Sequence, residues 1–128
     1  MGVVLVVDDD ADLRNSIKRV LEDDGHEVIT ASDGREALTR LNEPAFHPSV
    51  MVLDLMMPVM NGWQLLDIFA RDRRLQKIPV ILTSAYFGNR FVADPHTMLR
   101  KPFKLDRLLE LVAHHCDERP DSSSPQQE

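Results

Sequence analysis

The stretch VVLVVDDD, residues 3–10, decides the fold of this chain. Val3 to Val7 form an unbroken apolar run without polar alternation. Such a run suits a strand buried on both faces of a parallel sheet. Asp8, Asp9 and Asp10 follow at once, and the next basic residue is Arg14. Like charges crowded at the end of a buried strand repel one another and favour proton uptake, so their presence needs a reason.

The pattern repeats outward from that stretch. EVIT (27–30), SVMVLDL (49–55) and PVILTS (79–84) read as strands, and a shorter one fits around Thr97–Leu99. Between them apolar residues recur at helical spacing. Leu13, Ile17, Val20 and Leu21 make one face, ended by Asp24-Gly25. Ala37, Leu38 and Leu41 make another behind Asp33 and Glu36, a pair spaced as a capping box. Leu65, Leu66, Ile68 and Phe69 place a third helix over Gly62 to Ala70. Leu105, Leu108, Leu109 and Val112 give the last. The segment 85–100 has room for one short helix, limited by Pro95, ahead of its strand. Five strands alternating with five helices predict an α/β fold: a doubly wound parallel sheet covered on both faces.

Open parallel sheets bind ligands beyond the carboxyl ends of their strands. Asp8, Asp9 and Asp10 follow the first strand, Asp54 stands at the end of the third, Ser84 ends the fourth and Lys101 follows the fifth. The topology therefore predicts one site containing all of them. Mg²⁺ resolves the repulsion among the acids by supplying two positive charges to hard oxygen ligands. With a metal and a lysine to neutralise charge, and a hydroxyl to hold one oxygen, a carboxylate there can accept a phosphoryl group. Asp10 reads as the cap of the first helix.

Composition narrows the partners. A chain of 128 residues, 43% hydrophobic and 28% charged, fits a single domain. Its formal net charge of −6 argues against direct nucleic-acid binding, which needs excess Lys and Arg. The single cysteine, Cys116, points to a reducing compartment. The N-terminal apolar run is too short for a signal peptide or a membrane span, so the expected location is cytoplasmic, with no membrane partner. DERPDSSSPQQE (117–128) is polar and aperiodic, which predicts a disordered tail or linker stub after a domain over 1–116.

Several tempting motifs read blandly. His114-His115-Cys116 sit side by side, so on a helix they point to different faces and suit a helix end better than zinc. The Met-rich LMMPVM (55–60) reads as loop and core packing, and Trp63 carries no assigned role. An aspartyl-phosphate hydrolase would want a second acid two residues after Asp54, where Met56 stands, and a covering cap. A flavin module would want small hydroxylated residues after the first strand rather than acids.

VVDDDADLR, LDLMMPVMNG, PVILTSA and KPF resemble the four signature segments of the response-regulator receiver domain, the phospho-acceptor half of two-component signalling. The likeness spans roughly residues 3 to 116. Its central motif is Asp54, then Met57-Pro58, then Gly62. The resemblance implies a flavodoxin-like (βα)5 sandwich of strand order 2-1-3-4-5. It implies Asp54 as the phosphorylated nucleophile, and Mg²⁺ held by Asp9 directly, Asp8 mainly through water, Asp54, and the Met56 carbonyl. It implies Ser84, rather than Thr83, as the switch hydroxyl, and Lys101 as the partner of the phosphoryl group.

The implied partners are a sensor histidine kinase or a histidine phosphotransfer protein, and a protein target of unknown identity. A phosphorylation-dependent homodimer is compatible with this. The chain would catalyse only its own phosphorylation and dephosphorylation. The alternative is a pseudo-receiver scaffold that binds its partner without phosphate. Two departures stand out. The segment from Ser84 to Lys101 is shorter than the family's, and Met98 replaces the aromatic residue often found three before the lysine, so the readout looks altered. Met56 and Tyr86 occupy the positions flanking the phosphoryl group and lack a group to orient water, which predicts a shielded, long-lived acyl phosphate.

Overall fold

The computed structural model describes residues 2–57, 60–85 and 96–117. Its strands are β1 (Val3–Val7), β2 (Glu27–Ala31), β3 (Val50–Asp54), β4 (Val80–Ser84) and β5 (Thr97–Arg100). They pair in parallel in the order β2-β1-β3-β4-β5. The α-helices among the described residues are α1 (Ala11–Asp23), α2 (Gly34–Leu41), α3 (Gly62–Ala70) and α4 (Leu105–Asp117). A short 3₁₀ turn at Leu75–Lys77 precedes β4. The expected helix within 85–100, Pro95, Tyr86, Pro58 and the tail beyond Asp117 lie outside the described residues.

Strand alternation sorts the core into two layers. Val4, Val6, Val50, Val52 and Ile81 pack under α1 and α4, against Ile17, Leu21, Leu108 and Val112. Leu5, Val7, Met51, Leu53, Val80 and Leu82 pack under α2 and α3, against Ala37, Leu41, Leu65 and Phe69. β1, β3 and β4 have both faces covered, which is why their sequences show no polar alternation.

The helix ends follow local chemistry. Asp10 caps α1, its carboxylate accepting from the N–H groups of Asp12 and Leu13. Gly25, at φ 95°, takes the left-handed turn that ends α1. The expected capping box on α2 forms only in half. Asp33 Oδ1 accepts from Glu36 N at 2.8 Å, but the Glu36 carboxylate turns to Ser32, whose N–H and hydroxyl donate at 2.8 and 2.9 Å. Those donors hold the Glu36 carboxyl below the usual range. The reciprocal box lies instead on α3. There Asn61 Oδ1 accepts from Gln64 N and Gln64 Oε1 accepts from Asn61 N, both at 2.9 Å.

Candidate functional site

Three strands deliver the site. The β1–β3 register ends at Val7 opposite Leu53, so the next residues, Asp8 and Asp54, stand side by side. Each continues a row of valines beneath α1 and α4, which turns both carboxylates to the same side of the sheet. Lys101, one residue past β5, follows Leu99 on that side, and its N–H donates to the Ser84 carbonyl at 2.7 Å. The Lys101–Pro102 peptide is cis.

The Lys101 ammonium lies 3.3 Å from Asp8 Oδ2 and 3.5 Å from Asp54 Oδ1. Asp8 and Asp54 are 2% and 4% exposed, whereas Asp9 faces solvent. One carboxylate oxygen from each of the three acids can be chosen so that all lie within 4.8 Å of one another. Backbone groups fix the two buried carboxylates. Asp8 Oδ1 accepts from Asp10 N at 2.9 Å, and Asp54 Oδ1 accepts from Met56 N at 3.2 Å. Arg14, to which the sequence assigned no role, donates through Nη1 to the Asp8 carbonyl at 2.7 Å.

Burial, followed by the charge of Asp8, pushes the Asp54 carboxyl up to about 6, against the opposing pull of the Met56 N–H and Lys101. Three carboxylates against one ammonium leave negative charge in excess here. Hard oxygens from three carboxylates with charge left over are the donor set a divalent cation such as Mg²⁺ takes.

Of the residues singled out in the sequence, Asp8, Asp9, Asp54 and Lys101 are brought together. Met56 is 67% exposed in the loop after β3, while Met57 and Met60 pack against the core, as expected for a segment of loop and core packing. Ser84 and Thr83 are both buried. Thr83 is the register partner of Asp54 and follows Ile81 on the acid side, while Ser84 follows the Val80–Leu82 row. Cys116, on α4, is buried on the helix face turned to the sheet, and the rings of His114 and His115 meet edge to face.

Gly62 lets the segment after β3 fold back onto it. A Cβ there would lie 2.8 Å from Leu55 Cα, and the Gly62 N–H donates to the Leu55 carbonyl at 3.0 Å.

Comparison with known proteins agrees with this geometry. The family model for the response regulator receiver domain matches residues 4–113. The chain is 31% identical over 118 residues to the protein PilG of Pseudomonas aeruginosa, covering 88% of this chain and 85% of that one. It is 38% identical over 120 residues to the transcriptional regulatory protein CpxR of Escherichia coli K12. That match covers 88% of this chain but 47% of CpxR, so the chain spans about half of that relative. Among solved structures it is similar to the chemotaxis response regulator CheY4 of Vibrio cholerae. There the TM-score is 0.77 and the identity 30%, over 90% of this chain and 98% of that one.

Proposed function

Because the chain belongs to the response-regulator receiver domain family of two-component signalling, we propose that it is a phospho-acceptor switch centred on Asp54. The Asp54 carboxylate attacks the phosphorus of a phosphohistidine on a sensor kinase or histidine phosphotransfer protein. The new P–O bond forms as the P–N bond breaks, and the imidazole leaves with the electron pair and takes a proton from solvent. Lys101, already within 3.5 Å of Asp54, neutralises charge on the transferring oxygens. The Met56 N–H orients the attacking carboxylate. Asp8, Asp9, Asp54 and the Met56 carbonyl are the residues that would hold Mg²⁺, which when bound supplies positive charge to the acids and the phosphoryl group.

The observation that carries this reading is Lys101 spanning two buried carboxylates on neighbouring strands. A scaffold that binds without phosphate gains nothing from burying two acids around one cation at the strand ends, where a phosphoryl switch needs them. Ser84 is the proposed switch hydroxyl, moving toward the phosphoryl group and biasing a pre-existing equilibrium of the target-binding surface. We assign the receiver domain to residues 1–116, followed by a tail over 117–128, in a cytoplasmic protein.

The test is incubation with acetyl phosphate and Mg²⁺, followed by mass spectrometry. A phosphoryl adduct in wild type, lost in Asp54→Asn and in the presence of EDTA, is expected. Beryllofluoride with Mg²⁺ should change the spectrum of wild type, and comparison of Ser84→Ala with Thr83→Ala identifies the switch hydroxyl. No Asp54-dependent adduct and no Mg²⁺ binding would leave the scaffold reading ahead.

A further inference from the structure

At the end of the sheet opposite the acids lies a concentration of positive charge. The loop before β3 and the loop between α3 and β4 enclose an open cleft of about 530 Å³. That size suits a small-molecule ligand. His47, Arg73, Arg74 and Lys77 line it, Pro48 and Ile78 contribute an apolar wall, and no carboxylate is among the described lining residues.

Arg73, Arg74 and Lys77 are exposed and form no ion pair among the described residues. Of the neighbouring acids, Asp67 is paired, and Asp72 keeps its charge but does not line the cleft, so the three cations remain in excess there. Arg71 pairs with Asp67 at 3.2 Å, and Asp72 Oδ1 accepts from the N–H groups of Arg74 and Leu75 at 2.9 and 3.2 Å. In a chain of net charge −6, unneutralised cations gathered on a concave surface focus a local positive potential. Two guanidiniums match phosphate oxygens in pairs, and an ammonium adds a point charge. Three cations around such a volume outmatch a single phosphate.

We propose that this cleft binds a small anion carrying two or more phosphate groups, held by Arg73, Arg74 and Lys77, with any organic part resting on the Pro48–Ile78 wall. The five residues of β3 separate it from Asp54, on the order of 16 Å along the strand. The site therefore stands or falls independently of phosphorylation at Asp54.

The test titrates the full chain, in EDTA to remove any metal route through the acids, with pyrophosphate and with ADP, read by amide chemical shifts and calorimetry. Saturable shifts around His47, Ser49 and Lys77 are expected. Affinity should fall at least tenfold in the Arg73→Ala/Lys77→Ala variant and stay unchanged in Asp54→Asn. ADP binding tighter than pyrophosphate supports the apolar wall as part of the site, while equal affinity supports recognition through the phosphates alone. The proposal is overturned by the absence of saturable binding, or by binding lost in Asp54→Asn but kept in the double variant. It is equally overturned if a glutamate-rich peptide saturates the cleft while neither phosphate compound does.

Discussion

The Lys101 ammonium stands 3.5 Å from the Asp54 carboxylate, although β4 lies between the strands that carry them. The lysine reaches across from just beyond β5 because the Lys101 N–H is tied to the Ser84 carbonyl at 2.7 Å, which anchors its backbone to the end of β4. It also touches Asp8 at 3.3 Å, so a single cation serves two buried acids.

Removing that cation isolates them. Lys101→Met is expected to destabilise the metal-free protein by about 1–3 kcal/mol at neutral pH, the cost of leaving buried charged groups without a partner. Mg²⁺ should recover part of the loss. Urea unfolding in EDTA and in Mg²⁺ measures both, and equal stability of variant and wild type in EDTA would contradict the role given to Lys101.

Asp54→Asn should act in the opposite direction. It removes a carboxylate that burial and Asp8 disfavour in its charged form. Without metal at pH 7 the variant is expected to be more stable by about 1–3 kcal/mol. Mg²⁺ should narrow the gap, since the ion binds the folded wild type more tightly. Thermal unfolding with and without Mg²⁺ reads this directly. A variant less stable than wild type in EDTA would show that the hydrogen bond from Met56 outweighs the repulsion.

Met56→Asn tests the shielding of the acyl phosphate. The Met56 backbone holds Asp54, while its exposed side chain leaves room for substitution without core damage. An amide there can orient water, so phosphorylated variant should decay several-fold faster than wild type. The partner position, Tyr86, is outside the described residues, and Tyr86→Glu is expected to add to the effect. Unchanged decay in both would remove shielding as an explanation.

His96 gives the fold a pH dependence. Its Nδ1 accepts from the Val80 N–H at 3.0 Å, an arrangement open only to the neutral ring. Burial, then the charge of His115, lowers its pKa from the ordinary 6.5. A depressed folded-state value means the stabilisation is complete above the ordinary value and is lost as pH falls through the folded one. Urea midpoints from pH 8 to pH 5 should therefore drop more in wild type than in His96→Ala. The variant should start about 1 kcal/mol lower at pH 8, having lost the bond to Val80. Parallel curves would rule His96 out.

Gly62→Ala should be the most damaging small substitution on α3. Its Cβ would meet Leu55 Cα at 2.8 Å and the Asp54 carbonyl at 3.0 Å, backbone atoms that cannot swing aside. A loss of about 1–3 kcal/mol is expected, as for other overpacked positions. Mg²⁺ affinity, followed by fluorescence, should weaken with it, because the strain falls on the Asp54–Met56 turn. Wild-type stability would mean the segment after β3 relaxes freely.

Much of this was legible in the chain itself. The apolar runs at 3–7 and 79–84 located their strands to within a residue, since burial on both faces leaves no polar position to blur the pattern. Asp10 was recognisable as a cap because capping is local. The capping-box expectation at Asp33 went half wrong for an equally local reason: the Ser32 hydroxyl adds a second donor that draws Glu36 away. The reciprocal box at Asn61 and Gln64 opens a helix whose apolar face is the stronger signal, because the cap residue itself lies outside that periodicity.

The sequence by itself determined the order of strands and helices and which residues stand at strand ends, because periodicity and caps are written within a few residues. Only the tertiary structure decided that Asp8 and Asp54 are buried while Asp9 faces water, that Thr83 is in register with Asp54, and that Lys101 bridges two acids. The same holds for Arg73 and Lys77 sharing a cleft with His47. These relationships depend on register and packing between segments far apart in the chain, where a one-residue slip would turn each side chain to the other face.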